Sequence, residues 1–74
     1  MARDRLLRRI VRERFIVTLK SGETFDGLLD EVDDRTVTFV AAGQLDPRSG
    51  RAAIDGRLYL PRDGIAYMQR PEQP

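Results

Sequence analysis

Neither cysteine nor histidine occurs among the 74 residues of this chain, and tryptophan is missing as well. Without cysteine there is no disulfide and no thiolate metal site. Without histidine the commonest metal ligand and the commonest general base at neutral pH are also gone. The only serines, Ser21 and Ser49, lie in turn-forming stretches with no base to activate them. The chain is therefore expected not to be an enzyme, with no cofactor, no metal and no small-molecule substrate. Long apolar runs are missing too, none approaching the roughly 20 residues that span a bilayer. Arginines interrupt the apolar residues near the start, so no signal-peptide pattern is legible there. A soluble, cytoplasmic protein without membrane contact is the expectation.

Lysine is nearly absent: Lys20 stands alone against twelve arginines. Net charge is only +1, yet the charge is unevenly placed. Residues 1–14 hold six arginines against Asp4 and Glu13, whereas residues 23–34 hold Glu23, Asp26, Asp30, Glu31, Asp33 and Asp34 with no base. Such segregation fits one basic and one acidic face, complementary surfaces of neighbouring subunits, or ordinary solvated charge. A chain this short buries a thin core and often needs a staple. With disulfides and metals excluded, oligomerisation is the staple that remains.

Hydrophobic periodicity divides the chain. Over residues 3–13, Leu6, Leu7, Ile10 and Val11 form one stripe of a short amphipathic helix, with Arg5, Arg8, Arg9 and Arg12 on the rest of its surface. From Phe15 the period becomes two, and a barrel of five strands is expected over 15–69. Strand one carries Phe15, Val17 and Leu19 on one face. Ser21-Gly22 forms a hairpin turn into strand two, residues 23–32, with Phe25, Gly27 and Leu29 inward. Asp33-Asp34-Arg35 turns into strand three, residues 36–42, with Val37, Phe39 and Ala41 facing one way. Residues 43–56 read as one long connection, in which Gly43 and Gly50 are expected to tolerate a larger side chain. Strand four, 57–60, leads through the tight turn Pro61-Arg62-Asp63-Gly64 into strand five, 65–69. Residues 71–74 are expected to be a disordered tail. Gly27 is the informative residue: a glycine inside a strand marks a bend or a close backbone approach. A strand folded there suits a small barrel, which removes exposed edges by curling.

Two blocks carry a resemblance to a known family. FIVTLKSGETFDGLLDEVDD (15–34) is similar to the first motif of the Sm, LSm and Hfq proteins, through Leu19-Lys20, Gly22, Gly27 with Leu29, and Val32-Asp33. LYLPRDGIAYM (58–68) resembles their second motif, with Gly64 in its turn. Residues 1–70 thus look like a single Sm-like domain, mostly β: an N-terminal α-helix followed by a five-stranded, strongly bent antiparallel barrel of SH3 type. The resemblance implies a homo-oligomeric ring of about five to seven subunits, closed by pairing the last two strands of neighbours. Residues 57–60 and 65–69 would then form the subunit boundary, where Tyr59 and Tyr67 are packing or interface residues.

The resemblance also implies single-stranded RNA as a partner, but the base pocket departs from the family pattern. The first turn has no asparagine, and Pro61 and Arg62 stand where the family has arginine and glycine. An arginine in each turn, Arg35 and Arg62, can still contact phosphate or stack on a base. Arg5, Arg8, Arg9 and Arg12 supply further phosphate contacts. Gly22, Gly27, Asp33 and Gly64 are structural. Asp30, Glu31, Asp33 and Asp34 lack the spacing of a calcium loop and read as a solvated acidic edge. Alternatives are a bacterial or phage assembly protein, docking through its barrel without nucleic acid, and a monomeric SH3-like interaction domain.

Overall fold

The computed structural model describes residues 13–71. The helix expected over 3–13, with Arg5, Arg8, Arg9 and Arg12, therefore lies outside the described residues apart from Glu13. Six strands follow rather than five: β1 (Arg14–Leu19), β2 (Thr24–Val32), β3 (Thr36–Asp46), β4 (Gly50–Ala53), β5 (Leu58–Pro61) and β6 (Ile65–Gln69). A single 3-10 turn, Arg62–Gly64, joins β5 to β6. The order across the antiparallel sheet is β4-β3-β2-β1-β6. β5 pairs with the first half of β3, along Thr36–Phe39, and β4 pairs with the second half, along Gly43–Asp46.

The extra strand corrects the reading of 43–56 as one long connection. The Asp46 carboxylate accepts hydrogen bonds from the backbone N–H of Arg48 (2.7 Å) and Ser49 (3.3 Å). Gly50 completes the turn at φ +82°, a conformation that disfavours a Cβ. The chain thus reverses within 47–49, and β3 runs on to Asp46 because β4 pairs with its extension. Gly50 is consequently not the tolerant position expected of it.

Gly27 marks the bend of β2. It faces Phe15 in β1 but has no partner in β3, where the register shifts between Asp26 and Leu28. A Cβ built on Gly27 would lie 3.0 Å from the Phe39 Cβ and 3.1 Å from the Ala42 Cβ. β3 answers with its own irregularity: Ala41 adopts φ +49° and points outward, while Ala42 is buried. The expected inward face of β3 is thus right at Val37 and Phe39 and wrong at Ala41, because the bulge moves the alternation on by one residue.

The core is Phe15, Val17, Phe25, Leu29, Val37, Phe39, Ala42 and Leu60, with Leu19, Val32, Ile54, Leu58, Ile65 and Met68 packed around it. It is thin, as the length demands, and every strand except β4 contributes to it or borders it. The first turn forms as expected, with Gly22 at φ +98° donating to the Leu19 carbonyl (2.9 Å). No ladder joins β5 to β6 among the described residues, so each has one unpaired edge.

Candidate nucleic-acid interface

Two turns far apart in sequence meet at one end of the sheet. Asp33 organises the first: its Oδ1 accepts the N–H of Arg35 (2.8 Å) and of Thr36 (2.7 Å). The Asp33 N–H in turn donates to the Thr36 carbonyl (2.9 Å). These backbone donors, aided by the nearby charge of Arg62, hold the Asp33 carboxyl below the usual carboxylate range. Arg62 ties the second turn to the first. Its backbone N–H donates to the Arg35 carbonyl (2.8 Å) and its Nη1 to the Asp33 carbonyl (2.7 Å). Of the two turn arginines, Arg62 therefore spans the turns, whereas the exposed Arg35 guanidinium has no hydrogen-bond partner among the described residues. Gly64 lies in the same junction, its carbonyl accepting from the Lys20 N–H (2.8 Å).

Beside this junction lies a shallow groove of about 540 Å³ lined by Val32, Asp33, Asp34, Arg35 and Thr36. One half-buried valine, one committed carboxylate, one uncommitted carboxylate and one guanidinium therefore border a single surface. That chemistry can accept hydrogen bonds from a donor edge and pair with an anion.

The rest of the acidic stretch does not reach this site. Asp26 is clamped between Arg51, whose Nε lies 3.0 Å from Oδ1, and Arg14, whose Nη1 lies 3.3 Å from Oδ2. Arg51 also donates to the carbonyl of the strained Ala41 (3.2 Å). Its side chain crosses Gly43 so closely that a Cβ there would sit 2.5 Å from Nε. Asp30 pairs with Arg57 at 2.8 Å. A hydrogen bond with Tyr59, and then the charge of Asp30, raise the Arg57 pKa. Within 23–34, Asp26 and Asp30 are thus paired with arginines while Glu31, Asp33 and Asp34 stay exposed, and no cluster able to hold a metal ion forms among the described residues. Sequence reading missed these pairs because they join positions 27 and 25 residues apart, brought together only by β4 and β5.

On the outer strands, Tyr59 in β5 is 61% exposed and Tyr67 in β6 is 54% exposed. Neither is buried in the core, so the packing role expected of them is not seen within one chain.

No family model matches the chain, and no curated protein sequence is significantly similar to it. Solved structures are similar in shape. The SmAP1 heptamer of P. aerophilum superposes with a TM-score of 0.85 at 11% identity, over 99% of this chain and 97% of that one. A heptameric archaeal Sm protein gives 0.79 at 12% identity, over 92% and 98%. The Sm protein of Pyrococcus abyssii, in complex with a uridine heptamer, gives 0.77 at 19% identity, over 90% and 94%. At these identities the likeness is one of architecture, and the architecture of this chain is the Sm-like fold.

Proposed function

We propose that this chain assembles head to tail into a homo-oligomeric ring that binds single-stranded RNA and performs no chemistry on it. The observation that carries the proposal is that, among the described residues, β6 is bonded only to β1 and β5 only to β3, each leaving an open edge that bears an exposed tyrosine. Open edges of this kind are a liability unless another chain covers them. Pairing the β6 edge of one copy with the β5 edge of the next uses two different surfaces, and such a contact closes into a ring when its rotation permits. The Sm-like neighbours that are heptamers support this assembly, and the neighbour holding a uridine heptamer supports RNA as the ligand.

Within the ring, the groove beside Asp33 and Arg35 is repeated once per subunit. Arg5, Arg8, Arg9 and Arg12 add a repeated basic segment for phosphate contacts, which position a strand without reading it. Binding then falls steeply with salt. Two measurements test the reading. Light scattering at low micromolar concentration reports a multiple of the 8.5 kDa chain, and Tyr67→Arg reduces it to one chain. Fluorescence anisotropy with labelled single-stranded RNA shows salt-sensitive binding, weakened in the double variant Arg8→Glu/Arg12→Glu. A wild-type monomer refutes the ring. A ring that binds no RNA even at low salt leaves the assembly-protein reading in its place, a reading that the acids Asp33, Asp34 and Asp63 at the turns favour.

A further inference from the structure

We infer that the groove beside the first turn selects guanine over uracil, through the carboxylate of Asp34 and the guanidinium of Arg35. This rests on the RNA reading above. The groove is open rather than enclosed, so a base would lie against it with one edge toward the turn residues. Its lining residues differ in what they still have to offer. Oδ1 of Asp33 is consumed by two backbone N–H groups, so Asp33 shapes the turn. Asp34 lines the same groove, is exposed, and has no hydrogen-bond or ion-pair partner among the described residues. A carboxylate accepts through both of its oxygens. Val32 and Thr36, both half-buried, border the groove, and Arg35 is the cation beside it.

The pairing edges of the bases then decide the preference. Uracil presents one N–H between two carbonyl oxygens, so a carboxylate that accepts from N3 meets the like partial charge of O2 or O4. An amide side chain, with donor and acceptor together, would match that edge, and this turn contains no amide. Guanine presents N1–H and N2–H side by side, two donors spaced for the two oxygens of one carboxylate. Adenine and cytosine each offer a single exocyclic amine next to a ring acceptor. Guanine alone can satisfy both Asp34 oxygens, while Arg35 meets the flanking phosphate and offsets its repulsion by the acid.

The test is anisotropy titration of the intact protein with four labelled RNA heptamers: U7, A7, AGAGAGA, and AIAIAIA in which inosine replaces guanosine. Inosine keeps N1–H and lacks the N2 amine. AGAGAGA is expected to bind about tenfold more tightly than U7 or A7, the discrimination typical of a bidentate base contact, with AIAIAIA between. Asp34→Asn, at an exposed turn position, keeps the oligomeric mass and melting temperature and removes the advantage of guanine over uracil. Arg35→Ala weakens all four heptamers alike and lowers the salt dependence. Equal or tighter binding of U7 overturns the inference and leaves the RNA reading intact. A guanine preference that survives Asp34→Asn overturns the assignment to Asp34. Failure of every heptamer to bind at low salt overturns the RNA reading, and this inference with it.

Discussion

Replacing Gly27 by alanine tests whether β2 is bent by close approach or merely contains a small residue. The new Cβ would stand 3.0 Å from the Phe39 Cβ, 3.1 Å from the Ala42 Cβ and 3.3 Å from the Ala42 Cα. All three are tighter than the optimal carbon–carbon separation of about 3.5–4.0 Å. Each of these atoms is fixed to backbone, so no rotamer change relieves the contact. The two layers must separate by several tenths of an ångström, and overpacking of this kind costs about 1–3 kcal/mol. Against it stands about 0.4–1 kcal/mol gained because alanine restricts the unfolded chain. The net loss is about 1–2 kcal/mol, or roughly 4–16 °C in a domain of this size. Valine adds two methyl groups in the same gap and reaches the upper end, about 3 kcal/mol. The assay is thermal and urea unfolding at one fixed protomer concentration, since the proposed assembly would make stability concentration-dependent. Gly43→Ala is the control. The three atoms nearest its Cβ all belong to the exposed Arg51 side chain, so displacing that side chain costs its pair with Asp26 and its bond to the Ala41 carbonyl, about 1 kcal/mol. A Gly27→Ala protein as stable as wild type would refute the close-approach argument.

Arg51→Ala removes the contact with Asp26 and the bond to the Ala41 carbonyl; with Arg14 still on Asp26, the global loss is about 1 kcal/mol or less. Its effect concentrates in the β3–β4 hairpin, where hydrogen exchange of the ladder amides over 43–53 accelerates while those of β1 and β2 do not. The depressed pKa of Asp33 stabilises the fold at pH values above the unfolded carboxyl value. That stabilisation is lost as pH falls through the lower folded value. Melting temperature followed from pH 6 to pH 2 therefore drops more steeply for wild type than for Asp33→Asn, whose amide oxygen still accepts from the turn but does not titrate. Parallel acid limbs for the two proteins would remove Asp33 from the account.

The expected strand faces hold wherever hydrophobic alternation runs unbroken: Phe15 and Val17, Phe25 and Leu29, Val37 and Phe39 are all buried as their spacing requires. Alternation fails at Ala41 because the bend at Gly27 forces a matching bulge in β3, and alanine carries too little hydrophobic signal to reveal it. β4 was illegible for a related reason. All four of its residues are exposed, so neither period nor burial distinguishes it from a loop. Only the Asp46 turn and the pairing with β3 make it a strand. For the site, the turns at Asp33 and Arg62 were legible, but the division of labour between Arg62 and Arg35 was not. That depends on which guanidinium reaches the Asp33 carbonyl, a property of three-dimensional closure rather than of residue type.

The β3–β4 hairpin has a consequence for what this scaffold can accommodate. Beyond the bulge at Ala41, its strands lean on the rest of the molecule chiefly through the Arg51–Asp26 pair and the ladder of Gly43–Leu45 with β2, and Ile54, just past the end of β4, packs against the core. Its tip, 47–49, contains no core residue. Lengthening both strands by two residues each preserves the alternation of faces and adds little closure entropy. Foreign sequence can therefore be carried at this tip without altering the β5 and β6 edges or the groove at Asp33. The hairpin is a place where the chain can be lengthened, and a port through which the proposed ring could display one inserted peptide many times over.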